Sequence, residues 1–142
     1  GHAKLISLSE EDQSIKPIVL STEEEGVAFS GGCWLGGKKT VLLMQSSGVG
    51  NCINMLSLVG NCNFPFVTIV SMRGEWGEFN HWQVPMSRAT PGSFELMGID
   101  VKRCDTPQDV APTVDAALYA AFASEQKIAI LLSQRLIGRK EW

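Results

Sequence analysis

The run Thr40–Asn51, TVLLMQSSGVGN, passes without a linker from an apolar stretch into a small, polar, glycine-spaced one. TVLLMQ is short, apolar and nearly uninterrupted, which suits a strand covered on both faces. SSGVGN carries a Gly-x-Gly that lets the backbone turn tightly and come close to a ligand. Working outward, three further runs read as buried strands: Ile15–Ser21 (IKPIVLS), Phe64–Ser71 (FPFVTIVS) and Lys127–Ser133 (KIAILLS). Between them lie segments with helical spacing. Thr22 to Leu35 opens on a capping residue with acidic residues in its first turn and closes on Gly36-Gly37. Asn51 to Val59 places Ile53, Leu56 and Val59 near one face. Thr106 to Ser124 starts on Thr-Pro, and its second proline, Pro112, predicts a kink or a restart. Strand and helix alternating in this order predict an α/β doubly wound domain, mainly parallel, with right-handed crossovers and helices on both faces. Met72 to Gly92 lacks clear periodicity and reads as a long loop, the kind of segment that carries function.

The bulk composition narrows the partners. A chain of 142 residues fits one domain spanning 1–142. Charged residues make up 19% and hydrophobic residues 44%. This is apolar for a small water-soluble protein and predicts surface covered by another chain. A net charge of −3 argues against nucleic-acid binding. No apolar run approaches the roughly 20 residues of a membrane span, and the start, GHAKLIS, lacks a signal-peptide layout. Four cysteines without a C-x-x-C pair and two distant histidines, His2 and His81, offer no zinc site. Free thiols in a reducing cytoplasm are expected.

In open parallel sheets ligands gather at the carboxyl ends of the strands. Three stretches are expected on that rim: Ser21–Gly26 (STEEEG), Ser46–Asn51 (SSGVGN) and Met72–Glu78 (MRGEWGE). Each admits a plain reading. Acidic residues in a first helical turn complement the helix dipole. The Gly-x-Gly lacks the Lys-Ser/Thr of a phosphate loop and the third glycine of a dinucleotide fingerprint. The aromatics Trp76, Phe79 and Trp82 suit a protein interface. Arg73 or Arg88 offers instead a cation for a phosphonate, sulfonate or carboxylate.

Taken together, TEEEGVAFSGGCWLGGKKTVLLMQSSGVGNCINMLSLV and SMRGEWGEFNHWQVPMSRATPGSFELMGI resemble the pyrimidine-binding (PYR) half of thiamine-diphosphate enzymes, in the sulfopyruvate and phosphonopyruvate decarboxylase branch. The likeness runs from about Leu5 to Gly138. It implies a PYR domain of flavodoxin-like layout that is shortened at its N-terminus, with Gly1-His2 reading as a cloning remnant. It also implies a glutamate that hydrogen-bonds the cofactor's pyrimidine ring and relays a proton. The family places that residue nine positions before the glycine of a run matched here by Gly32-Cys33-Trp34-Leu35, which selects Glu23. Glu24 and Glu25 remain cap and solvent-face residues.

By the same resemblance Gln45, Ser47, Gly48, Val49, Gly50 and Asn51 line the pyrimidine side of the cofactor cleft. Ser46, where the family carries asparagine, borders the substrate; Arg73 and Gln83 also match the family, and Arg88 is a substrate candidate by its charge. His81 and Ser87 stand where the family carries proline and glycine. The Gly-Asp-Gly and Asn-Asn that hold Mg²⁺ and the diphosphate in the other half of such enzymes have no match here. A diphosphate-binding (PP-type) β subunit is therefore expected, with Mg²⁺ on that partner, no metal site in this chain, and self-association through the PYR domain. The implied activity is decarboxylation of a small anionic 2-oxo acid in the cytoplasm. Two other readings of the residues stand beside it: a non-catalytic PYR-like structural or regulatory subunit, and a nucleotide-binding flavodoxin-like protein using SSGVG as its phosphate loop.

Overall fold

The computed structural model describes residues 1–139. Its centre is a sheet of four strands, Leu42–Gln45 (β1), Phe66–Ser71 (β2), Asp100–Cys104 (β3) and Lys127–Leu132 (β4), in the order β1-β2-β4-β3. Every pairing is parallel, with Leu42 opposite Thr68, Phe66 opposite Lys127 and Asp100 opposite Ile128. Alternate side chains of a strand point to opposite faces, yet β2 is buried at every residue. Both faces are therefore covered.

Helices supply the cover. On one face Phe66 and Val70 meet Val27 of α2 (Glu23–Leu35), Val49 of α3 (Ser46–Cys52), Leu56 of α4 (Leu56–Cys62) and Phe94 of α5 (Gln83–Leu96). On the other, Val67, Ile69, Ile128 and Ile130 meet Ala117 and Ala121 of α6 (Pro107–Ser124). The small alanines let α6 lie close to the strands. This is the doubly wound α/β arrangement expected. Two helices stand outside it: α1 (Ala3–Glu11), which buries no residue, and the single turn α7 (Gln134–Ile137). No helix among the described residues is long and apolar enough to cross a membrane.

Five sequence expectations need correction. Ile15–Ser21 is not a strand: the segment preceding α2 has no ladder partner and bends at Ser21, and Val19 is 99% exposed. Pro17 has no N–H to give a ladder, and Met44 O, on the β1 flank, accepts instead from Nε2 of His2. SSGVGN is not a turn but most of α3, which begins directly after β1. The helix expected over Asn51–Val59 is two helices, α3 and α4, separated by Ile53-Asn54-Met55. The long loop is shorter than expected, because α5 starts at Gln83 and continues through Pro91. Likewise α6 runs unbroken through Pro112, secured at its start by a reciprocal bond pair between Thr106 and Asp109.

β3 was missed altogether. Its sequence, DVKRC, is mostly charged and reads as loop, but it lies at the sheet edge, where Asp100 and Lys102 pair at 2.7 Å in solvent. Charge is how edge strands resist pairing with other chains.

Core and pre-helix residues should separate cleanly in stability. Ile130→Ala, at a fully buried central-strand position, is expected to cost about 2–5 kcal/mol. Val19→Ser, in the unpaired segment, should stay within about 0.5 kcal/mol. Urea unfolding of each variant measures both, and a cost at Val19 equal to that at Ile130 would show that Ile15–Ser21 is a strand after all.

Candidate functional site

Because all four strands run the same way, Gln45, Ser71, Cys104 and Leu132 end on one rim. α3 starts there with Ser46, so its first turn presents Ser47 and Gly48 beside the strand ends. The first turn of α2 lies across it. A Cβ on Gly48 would stand 2.5 Å from Cγ and 2.6 Å from Oε1 of Glu23, so only glycine leaves that carboxylate its place. One turn on, the Asn51 amide donates to Glu23 Oε2 at 2.9 Å. No described residue bonds to Oε1.

The other two glutamates of the first turn behave differently from each other. Glu25 is a cap, its Oε2 accepting from the Ser21 N–H at 2.9 Å. Glu24 is half-buried rather than a solvent-face residue, and its Oε2 is buried without a hydrogen-bond partner among the described residues. Burial, with Glu23 and Glu24 adding to it, pushes the Cys52 thiol up to about 12. Cys52 is therefore a packed, protonated core residue.

A second polar group adjoins the first. Gln45 Nε2 donates to Ser47 Oγ at 2.8 Å and to Gln83 Oε1, at the start of α5, at 3.1 Å. Gly50 lies under Met86, whose sulfur would be 3.1 Å from an added Cβ. The side chain of Val49 points away into the core. Ser46 is fully buried, its hydroxyl accepting from the Arg73 N–H at 3.1 Å, so it ties the loop after β2 to α3 and does not face an open cleft.

That loop is held by a polar network. Arg73 forks onto Glu78 through Nε at 2.6 Å and Nη2 at 2.5 Å, the two side chains being 8% and 4% exposed. Glu78 also accepts from the N–H groups of Gly74 and Asn80 and from Gln134 Nε2. The Arg73 bonds, helped by the other donors against the cost of burial, hold its carboxyl at about 2. Arg73, expected to face a substrate anion, is thus neutralised within its own loop. Arg88 remains exposed on α5. Trp76 and Trp82 are also exposed, Trp82 at 90%.

Two members of this network lay beyond sequence reasoning. Gln134, at the start of α7 just after β4, is fully buried and accepts from the N–H groups of Glu75 and Trp76. Arg103 forks onto Glu75 at 2.7 and 3.0 Å and reaches Asp105 at 3.0 Å, and these carboxylates raise its already high basicity. The position of Gln134 at the end of a fourth apolar run was a usable signal. Arg103 had none, since its strand was not recognised.

The four-stranded, all-parallel, doubly wound α/β domain is consistent with the PYR-type fold that the resemblance implies. No family model matches the chain. It is 33% identical over 129 residues to the sulfopyruvate decarboxylase subunit alpha of Methanothermobacter thermautotrophicus, covering 90% of this chain and 78% of that one. The Methanococcus maripaludis protein of the same name is 37% identical over 123 residues, 86% of this chain and 74% of that one. Phosphonopyruvate decarboxylase of Streptomyces viridochromogenes is 32% identical over 115 residues, 80% of this chain but 27% of the longer relative. The chain belongs to the family of sulfopyruvate decarboxylase alpha subunits.

The loop network should register in acid. Because the Glu78 carboxyl sits below its ordinary value of 4.5, at about 2 in the folded protein, its contribution is full above about 4.5 and disappears as pH falls through about 2. Urea unfolding as a function of pH should show a shallower acid-side loss of stability in Glu78→Gln than in the parent. Parallel curves would mean that Glu78 carries no such linkage.

Proposed function

We propose that this chain is the PYR-type α subunit of a thiamine-diphosphate-dependent 2-oxo acid decarboxylase that works with a diphosphate-binding β subunit. The names of its relatives support the reaction class, and "subunit alpha" supports a partner. The observation that carries the reading is the seat of Glu23: Gly48 beneath it, Asn51 on Oε2, and Oε1 without a described partner. This suits a carboxylate that meets a ring nitrogen, because one oxygen is fixed and the other is left for the ligand.

Thiamine diphosphate, when bound, supplies the electron sink that lets a 2-oxo acid lose carbon dioxide. The residues of this chain do the rest of the work on its side. Glu23 holds and returns a proton at Oε1, and the Asn51 amide keeps the carboxylate from swinging away. Gln45, Ser47, Gly48, Val49, Gly50 and Asn51 line the pyrimidine side, Val49 through its backbone alone. Gln83 and Arg88 on α5 face a small anionic substrate. Arg73 and Ser46 act one step back, fixing the loop and α3 to each other. Mg²⁺ and the diphosphate are assigned to the partner, because the Gly-Asp-Gly and Asn-Asn that hold them in the other half of such enzymes have no match in this sequence. Burial of exposed Trp82 and Leu35 against another chain fits the expected assembly.

Reconstitution with the β subunit tests this directly. Glu23→Gln should assemble normally and lose decarboxylation by about 10²-fold or more, the scale of a lost proton-transfer group. Gly48→Ala should fold, since the atoms it displaces belong to one flexible side chain, and should also lose activity. Full turnover in Glu23→Gln removes this residue from the reaction. Assembly of the parent complex without any turnover of 2-oxo acids favours a structural subunit instead.

A further inference from the structure

We infer that Gln134 is a positioning residue for the Gln45–Gln83 pair, a role that rests on the proposed function for its catalytic meaning but on geometry for its placement. Gln134 is fully buried and its carboxamide is used at both ends. Oε1 accepts from Glu75 N at 2.8 Å and Trp76 N at 3.0 Å, while Nε2 donates to Glu78 Oε2 at 2.9 Å. Its own N–H donates to Glu75 Oε2 at 3.1 Å. The orientation of the amide is fixed by these partners, two donors on one side and a carboxylate on the other.

The hold passes to the site through Gly74. The Gly74 N–H donates to the same Glu78 oxygen, Oε2, at 3.2 Å. Its φ of +81° is one that favours glycine, and a Cβ there would lie 2.6 Å from the backbone carbonyl of Gln83. Glycine 74 therefore lies flush against the first residue of α5. Gln83 in turn accepts from Gln45, which also donates to Ser47. Gln134 thus sets where the loop sits, the loop sets where α5 begins, and α5 sets the Gln83 carboxamide on the rim.

A carboxyl in place of the carboxamide is the informative change. Gln134→Glu keeps the shape and can still accept from Glu75 N and Trp76 N. When ionised it faces the Glu78 carboxylate without a donor; when protonated it regains one. The charged groups around it are Glu75 and Glu78, the Arg73 paired to Glu78, and Arg103 with Asp105 on the β3 side. Arg139, whose stem lies against Gly77, and Arg135 of α7 complete the set. Ionisation of the new group is opposed by Glu78 and Glu75, and the cations nearest to these are already paired with them. The defect therefore grows as pH rises. Gln134→Met lacks donors and acceptors at every pH and gives a pH-independent defect.

Two measurements decide it. In the full chain alone, the side-chain amide resonances of Gln45 and Gln83 should shift in both variants, and in Gln134→Glu should return towards the parent positions as pH falls to about 5.5. In the reconstituted complex, KM for the 2-oxo acid, relative to the parent, should rise about tenfold or more at pH 8 in Gln134→Glu, the scale of a lost hydrogen bond to a charged group, with kcat changed by less than about threefold. The rise should shrink at about pH 5.5 in that variant and persist in Gln134→Met. Unmoved Gln45 and Gln83 resonances in both variants overturn the inference, as does a Gln134→Glu defect with no pH dependence. If the parent complex turns over no 2-oxo acid, the proposed function fails while the resonances still decide the positioning role.

Discussion

A sheet of parallel strands cannot be closed by tight turns, and this constraint organises the whole molecule. Every strand must be reached by a crossover, so helices cover both faces and the strand interiors become almost wholly apolar. Polar side chains are then pushed to the ends. Since all four strands leave the core on the same side, the segments after β1, β2 and β4 and the start of α2 meet at one rim. Glu23, Gln45, Arg73, Arg103 and Gln134 come from five separate places in the chain and are brought together by nothing else.

Within that rim the chain uses two kinds of fixation. Around Glu23 the fit is steric, a missing side chain at Gly48 that admits a carboxylate and one amide that steadies it. Around Glu78 it is electrostatic, with a forked guanidinium and three further donors on one carboxylate. The first leaves an oxygen available and the second leaves none. This difference separates a carboxylate with one oxygen unbonded among the described residues from one that is fully engaged and holds a loop in place.

The fold was legible wherever burial set the composition. β2 and β4 are mostly apolar because both of their faces are covered, and their sequences say so. β3 was not legible, because an edge strand keeps half its backbone in solvent and carries Asp100, Lys102 and Arg103 there. Ile15–Ser21 failed in the opposite sense: its apolar, β-branched residues describe a strand, but strand formation needs a neighbour to bond with, and local sequence does not record one. Gly48 and Gly50 suggested a turn, though their absent side chains serve close packing of Glu23 and Met86 on a helix. For the site, the register from Gly32 to Glu23 came from likeness to a family, not from composition. The clamp of Arg73 by Glu78, only five residues away, could have been suspected from their spacing. The place of Gln134 at a strand end could also have been noted, but not its hold on the loop some sixty residues back, since no local pattern spans that distance.

The charges of β3 also bear on how the chain behaves among copies of itself. An open sheet has two borders at which a stray strand can add, and an apolar chain with uncovered helix faces is at risk of doing so. The Asp100–Lys102 pair makes one border costly to extend, since any added strand must lie beside charges that prefer water. At the other border the Met44 carbonyl of β1 is taken by Nε2 of His2, so the two margins are guarded by different means. A strand that adds at the β3 margin must take both charges out of water, so copies of this chain are disfavoured from stacking along it.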